Sequence, residues 1–428
     1  MLFAATELRD PGIWFTEAGH RDLADQWRAA EHPSSRLRER VLEVLTRETG
    51  LLDPPDLGEI RDALRRLGAD ALVYLVPAVP QVPGWAVIAP AEGPPRYLAL
   101  PHLSVEKGTD VERYPAVMAT RDSGLVREGT DPAHEIGPMD LDGFADSLDA
   151  LCRWAWKAAM GPIVKPYLDS ERVPRAVLIP MGDLARVPWQ AARGPDGTYA
   201  VERVALSQAA SARMLCDTAT AEPARVTLTG LVLADPDTGG RATDLRSARL
   251  EAYAIHQVCY PGATYVGRPP DGSVSRSGAG TADDIRSWLR AGGRRHVASR
   301  VARRDRDDPH RRVVVPGPCR RRPDRRRADR RDGRGHLGAM FLAAGARSVL
   351  STHWSIPDGE TSLLMYMIHH FLVAERRLPW DALRRAQMWM LDSGRRPPRH
   401  MPISLRRMLD DADPARVVAW AGFAYWGQ

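Results

Sequence analysis

Residues 175–194 read RAVLIPMGDLARVPWQAARG, and they begin with the apolar run RAVLIP at 175–180. Apolar residues without polar alternation predict a strand that is buried on both faces of its sheet. Such a strand needs a layer of packed elements on each side. This segment therefore predicts the interior of an α/β fold.

Strand and helix patterns alternate on the carboxyl side of this segment. Strands are predicted at 227–236, 263–268 and 346–354, and helices at 207–219, 247–259, 281–290, 335–345, 360–375 and 380–392. Apolar strands joined by helices predict a mostly parallel sheet with helices on both faces.

The pattern on the amino side is different. A long helix is predicted at 141–160, preceded by a polar, irregular connection over 102–138. Three β-rich runs at 71–77, 84–90 and 96–101 are separated by Pro and Gly, which predicts an antiparallel meander. An amphipathic helix at 57–67 ends at Gly68, and apolar residues near helical spacing predict further helices within 15–48.

These patterns divide the chain into three regions. A helical region is expected over 1–68, a β-meander and linker over 69–140, and the α/β region over 141–428. The short helical start could be the remnant of upstream helical repeats, or the true start codon could lie further upstream.

The basic charge of the chain is concentrated in one segment. Of the 60 Lys and Arg residues only three are Lys, a bias typical of a GC-rich coding sequence, and seventeen Arg lie within 294–334. The rest of the chain is net acidic. The pI near 9.3 is therefore weak support for nucleic-acid binding by the whole protein.

Several classes of protein are disfavoured by the sequence. No apolar run of 18 residues predicts a membrane helix, and the first residues do not resemble a signal peptide. The four Cys show no CxxC pair and no metal-ligand spacing, so we expect reduced, mostly buried thiols in a cytoplasmic protein without a metal or cofactor.

Five phrases, in order along the chain, resemble those of the CHAT family (caspase, HetF-associated). They are AVLIPMGDLARVPWQAARG at 176–194, LRSARLEAYAIHQVCYPGATYVGR at 245–268, GAMFLAAGARSVLSTHWSIPD at 338–358, ALRRAQMWMLD at 382–392 and VAWAGFAYWG at 418–427. The resemblance covers roughly residues 70–428, and the Arg bias suits an actinobacterial type.

This resemblance implies a caspase/separase-like α/β fold and a His–Cys dyad. The implied activity is endopeptidase cleavage of a protein substrate, triggered by a regulatory partner. A nearby His lowers the thiol pKa and relays the proton to the leaving amine. In the family the His follows one strand and the Cys follows the next, and both belong between Leu289 and His336.

The segment 294–334, where the dyad belongs, is anomalous. It carries the seventeen Arg and has no convincing strand except Val313–Val315. The His is expected near Arg300 and the Cys near Val315, so no intact catalytic residue can be assigned. Three explanations remain open: a pair of compensating frameshifts, a degenerate pseudo-peptidase that acts as an interaction module, and an Arg-rich arm that binds nucleic acid.

The genetic code is consistent with the frameshift hypothesis, which we favour. HVAS at 296–299 still resembles the start of the catalytic-His phrase. Read from the second base of each codon, Arg300 can encode Gly, residues 313–315 can encode Ser-Ser-Cys, and residues 330–331 can encode Asp-Glu. The family often has an acidic pair before the next helix.

A few other residues are weaker candidates. Cys319 and His296 could form a substitute dyad, but Cys319 lies in PGPCRRRP without a preceding strand or family phrase. Trp354 and Asp358 follow a strand end and could line a pocket for a basic substrate side chain. The alternative for Asp358 is a helix N-cap, which we prefer.

Overall fold

The computed structural model describes residues 54–105, 141–167, 172–220, 230–236, 246–281, 284, 348–353, 358–411 and 413–427. The helices predicted within 15–48 and at 335–345, and most of the connection predicted over 102–138, lie outside these residues. So does the Arg-rich segment 294–334.

Nine strands occur within the described residues. They are β1 (Ala71–Val76), β2 (Gly84–Pro90), β3 (Arg96–Leu100), β4 (Arg175–Pro180), β5 (Ala205–Gln208), β6 (Leu231–Ala234), β7 (Thr264–Gly267), β8 (Ser348–Thr352) and β9 (Phe423–Gly427).

The α-helices of the described residues surround these strands. They are α1 (Leu57–Leu67), α2 (Leu141–Ala155), α3 (Gly161–Tyr167), α4 (Ala200–Arg203), α5 (Ala212–Thr220), α6 (Arg246–Cys259), α7 (Asp358–Val373), α8 (Pro379–Leu391), α9 (Ile403–Asp411) and α10 (Val417–Trp420). A π-helical turn, Trp156–Met160, joins α2 to α3.

Seven of these strands form one sheet in the order β3-β2-β1-β4-β5-β9-β8. The central pairs β1–β4, β4–β5 and β5–β9 are parallel, whereas the pairs at both edges are antiparallel. The strands β6 and β7 form a separate parallel pair. The expected mixed α/β architecture with parallel central strands and an antiparallel meander is confirmed.

Both faces of the large sheet are covered, as the apolar run at 175–180 predicts. All six residues of β4 are buried. Ala176 and Leu178 belong to a core that includes residues of α2, α3, α7 and α8, while Val177 and Ile179 belong to a second core with α1 and α5. Successive strand residues point to opposite faces, which is why one short strand contributes to two cores.

The start and stop signals that the sequence places at α1 are present in the structure. Asp56 and Glu59 form a reciprocal capping box at its start, and Gly68 ends it in the left-handed conformation with φ of 63°. Glycine adopts this conformation without the steric cost that a Cβ would bring. The chain can therefore turn directly from α1 into β1.

Two predicted helices have different limits in the structure, and the helix α9 was not predicted. The helix predicted at 207–219 begins only at Ala212, because residues 205–208 extend beside β4 as β5. The helix predicted at 141–160 continues to Tyr167 through the π turn. At Gly161 a Cβ would lie 2.8 Å from the indole nitrogen of Trp156, so this close approach requires glycine.

The PWQA phrase at 188–191 attaches the last strand to the sheet. Strand pairing between β5 and β9 is limited to Gln208 and Trp426. The buried Gln190 amide donates hydrogen bonds to the carbonyls of Ala421 at 2.6 Å and Phe423 at 3.0 Å. The Gln190 hydrogen bonds therefore supplement the single backbone pair between β5 and β9.

In the part of the chain that the structure describes, no helix has the length and apolar character needed to cross a membrane.

Candidate functional site

The carboxyl ends of β6 and β7 form the edge at which a site is expected. In open α/β sheets, ligands bind beyond the carboxyl ends of parallel strands. The register pairs Ala234 with Gly267, so the residues that follow each strand, Asp235 and Arg268, emerge side by side. The Arg268 amide donates to the Ala234 carbonyl at 3.0 Å, which holds the two ends together.

A buried ion pair lies directly at this edge. The Arg249 Nε of α6 is 2.5 Å from the Asp235 Oδ2, and the two side chains are 10% and 5% exposed. Asp235 has a positive φ of 38°, which is uncommon outside glycine and costs backbone energy. The ion pair joins α6 to the end of β6 in a region that is shielded from water.

Gly267 allows the two strand ends to approach each other. It has a φ of 99°, and a Cβ at this position would lie 1.8 Å from the Ala234 carbonyl oxygen. No side chain can be accommodated there without moving the backbone. Gly267 also forms two backbone hydrogen bonds with the following loop. Its amide donates to the Gly278 carbonyl, and its carbonyl accepts from the Ser275 amide, both at 2.9 Å.

The loop after β7 ends in a second capping arrangement. The Thr281 amide donates to the Asp284 carboxylate at 3.0 Å, and the Asp284 amide donates to the Thr281 hydroxyl at 3.2 Å. The bond from the Thr281 amide is the main cause of the lowered pKa of the Asp284 carboxyl. Asp284 is helical, which agrees with the start of the helix predicted at 281–290.

The helix after β6 connects this small sheet to the large one. The Tyr260 hydroxyl, just past the end of α6, is 2.9 Å from His369 Nδ1 on α7, and the two rings meet edge to face. Burial lowers the pKa of the His369 imidazole to about 4. The imidazole is therefore neutral near pH 7, as a buried hydrogen-bonded ring should be.

The three described cysteines are unsuited to nucleophilic chemistry. Cys152, Cys216 and Cys259 are free and buried, as expected from their apolar helical neighbours. Burial raises the pKa of all three thiols, that of Cys259 to about 12. Among the described residues, no hydrogen bond joins any of them to a histidine. A thiol must become a thiolate to attack a carbonyl, so these positions are structural.

The residues proposed from the sequence as catalytic or near-catalytic are not brought together by the described structure. The positions His296, Arg300, Val315 and Cys319 lie outside the described residues. So does Trp354, and Asp358 is the first residue of α7 with a side chain outside the description. Their proposed roles, including the helix cap at Asp358, remain predictions.

The buried pair Asp235–Arg249 was not singled out from the sequence. Its only local signal is an Asp directly after an apolar strand, which also fits an ordinary loop. The partner Arg249 lies 14 residues away on α6, and only the packing of α6 on β6 shows that the two meet.

No group of three or more His, Cys, Asp or Glu side chains among the described residues could hold a metal ion.

The comparison with known families identifies the chain. It matches the CHAT domain over residues 149–301 and 313–428, which is more than half of its length. The chain belongs to the CHAT family. The resemblance carried by the five sequence phrases is therefore confirmed. The match to the CHAT family model stops at residue 301 and resumes at 313. The resemblance of the quoted sequence phrases resumes only at residue 336.

Two further comparisons, with curated proteins and with solved structures, provide less information about the chain. No curated protein matches the chain. Among solved structures, the separase–securin complex of Saccharomyces cerevisiae aligns at a TM-score of 0.48 and 8% identity, covering 86% of this chain. This CHAT protein spans only 30% of the length of that separase chain.

Proposed function

We propose that this chain derives from a CHAT cysteine endopeptidase and, as written, has no peptidase activity. The absence of activity follows from a reading frame that is shifted between about codons 300 and 332, where the family keeps its His and Cys. Membership of the CHAT family supports the endopeptidase ancestry. The match is interrupted at 302–312, inside the proposed shifted segment, and covers the rest of that segment from residue 313.

The state of the cysteines is the observation that carries this proposal. Cys152, Cys216 and Cys259 are buried thiols with raised pKa values, so none can serve as the nucleophile. The remaining cysteine is Cys319, in the Arg-rich segment. An active enzyme would have to use Cys319, or else a Cys that the present frame does not encode.

Within the described residues, β6 and β8 each have one edge without a partner strand, which leaves room for two additional strands. Among the described residues, β6 pairs only with β7, and β8 pairs only with β9. The strand β6 is apolar throughout, which is typical of an interior strand, yet Leu231, Val232 and Leu233 are only half-buried. The Tyr260–His369 hydrogen bond links the helices that follow these two open strands.

A restored frame would supply the missing chemistry. The Cys thiolate would attack the scissile carbonyl while backbone N–H groups stabilise the oxyanion. The His would take the thiol proton and give it to the leaving amine, and water would then release the acyl group from the sulfur. Both residues would follow strand ends, close to the Asp235–Arg249 edge.

The first test is to resequence the source DNA across codons 290–340. We expect one inserted or missing base near codon 300 and a compensating one near codon 332. The corrected frame should encode His-Gly and a Ser-x-Cys strand end. DNA that supports the present frame throughout would end the frameshift hypothesis.

The second test compares two proteins on the same panel of peptides. We expect cleavage by the frame-restored chain, abolished when its new Cys is replaced by Ala, and no cleavage by the chain as written. Cleavage by the chain as written that is lost in Cys319→Ala would contradict the proposal, because it would show that Cys319 is the nucleophile.

A non-catalytic interaction module is the second candidate function. The observation that favours it is the core of the large sheet, which has buried residues on both faces among the described residues. If the DNA supports the present frame, this scaffold remains available for binding. An Arg-rich nucleic-acid arm would instead show steep loss of binding with salt.

A further inference from the structure

A cationic segment spans the loop from α8 to α9 and the first residues of α9. The residues 393–407 read SGRRPPRHMPISLRR, with five Arg, one His and no Asp or Glu. The exposed Arg and His side chains of this segment are Arg396, Arg399, His400 and Arg407. These four residues are called the basic loop below.

Two further arginines, Arg395 and Arg406, donate hydrogen bonds to backbone carbonyls at the two ends of the loop. The half-buried Arg395 donates to the carbonyls of Trp389 at 3.2 Å and Met390 at 2.9 Å, which are otherwise unsatisfied at the end of α8. The half-buried Arg406 donates to the carbonyls of Met401 and Pro398, both at 3.0 Å, and of Arg399 at 2.7 Å. Arg395 and Arg406 therefore have structural roles.

Two further hydrogen bonds and the three prolines of the segment, Pro397, Pro398 and Pro402, restrict its backbone. The Trp389 indole N–H donates to the Arg396 carbonyl at 3.0 Å, and the Met401 amide donates to the Pro398 carbonyl at 2.9 Å. Because the backbone is held this way, little further backbone entropy is lost when the outer side chains bind a partner.

The charges of the basic loop are not neutralised within the described structure. Arg396, Arg399 and Arg407 form no ion pair with a described residue, whereas Arg385 on the neighbouring α8 is paired with Asp381 at 2.8 Å. Arg side chains bind carboxylates through two parallel N–H bonds. A surface of three such arginines favours an anionic partner.

An apolar side chain lies next to these charges. Ile403, the first residue of α9, is 70% exposed. The segment 393–407 contains no Phe, Tyr or Trp, the side chains on which nucleic-acid bases stack, and the adjacent Trp389 is half-buried with its N–H bonded to the Arg396 carbonyl. Carboxylates beside an aliphatic side chain, rather than stacked bases, match this combination.

We infer that the basic loop is a docking surface for an acidic segment of a partner protein, anchored by an apolar residue at Ile403. This surface is independent of the proposed peptidase chemistry, since it uses no residue of the β6–β7 edge or of 294–334. It can serve a substrate-recruiting role in an active enzyme and a scaffold role in an inactive one.

The experiment uses the full chain and a fluorescent peptide of glutamates interrupted by leucines. The variant Arg396→Gln/Arg399→Gln/Arg407→Gln removes three exposed charges, and the matched control Arg65→Gln/Arg66→Gln/Arg276→Gln removes three others. The Arg-rich segment is unchanged in both, so its contribution cancels. We expect about tenfold weaker binding in the first variant and little change in the control.

Two additional measurements make the test specific. Ile403→Ser should weaken the leucine-containing peptide but not an all-glutamate peptide. A photo-crosslinking version of the peptide should label residues near 396–407. Equal losses in both triple variants, labelling confined to 294–334, or a loss of oligo-dT binding without a loss of peptide binding would each overturn the inference.

Discussion

At the residue scale, the attachment of β9 depends on the Gln190 side chain. The replacement Gln190→Ala would leave the carbonyls of Ala421 and Phe423 without their donor in a buried region. We expect the free energy of unfolding to fall by about 2 kcal/mol, measured by urea denaturation. The exposed Gln257→Ala is the control and should change it little.

Protonation of His369 should couple stability to pH. Burial holds the pKa of this imidazole at about 4, below its ordinary value near 6.5. The unfolded chain therefore binds the proton first, and the stability contributed by neutral His369 is present above pH 6.5 and lost as pH falls towards 4. For one site the effect reaches about 3 kcal/mol over that window.

The variant His369→Gln isolates this contribution from other titrating groups. Gln can still form a hydrogen bond with the Tyr260 hydroxyl but does not titrate, so we expect a shallower fall in stability between pH 6.5 and 4. The exposed His400→Gln is the matched control and should keep the steeper slope. Desolvation also lowers the pKa of His353 to about 4, so some dependence should persist. Equal slopes in all three proteins would argue against the coupling.

At the element scale, the β6–β7 pair depends on a position without a side chain. In Gly267→Ala the new Cβ would meet the Ala234 carbonyl in a backbone with positive φ. We expect this change to cost roughly 3 kcal/mol or more and to speed hydrogen exchange of the β6 and β7 amides. Gly93→Ala has a similar φ of 88° but no heavy atom within 4 Å, and should cost only about 1 kcal/mol.

Most elements could be predicted from local sequence because local forces set them. The helix α1 has its cap, its amphipathic face and its stop within the thirteen residues 56–68, and the strands of the meander end within one residue of their predicted limits. The strand β5 could not be predicted, since its four residues extend only because β4 offers a partner. The helix α9 was also missed.

At the scale of the whole molecule, the chain as written should be vulnerable to proteolysis within 294–336. High like-charge density opposes packing of that segment, which lies between β7 and β8 along the chain. We expect thermolysin, which does not need Arg, to cut there before it cuts the large sheet. The frame-restored chain should resist under the same conditions. Equal resistance of both chains would contradict this prediction.

The sequence by itself determined the fold class, the family and the anomaly at 294–334. Apolar runs, caps and family phrases are local patterns, so they can be read without coordinates. The order of the seven-stranded sheet, the separate β6–β7 pair and the Asp235–Arg249 contact were decided only by the tertiary structure. These features depend on contacts between residues distant along the chain, and local propensity does not specify which distant partner a strand or a charge will meet.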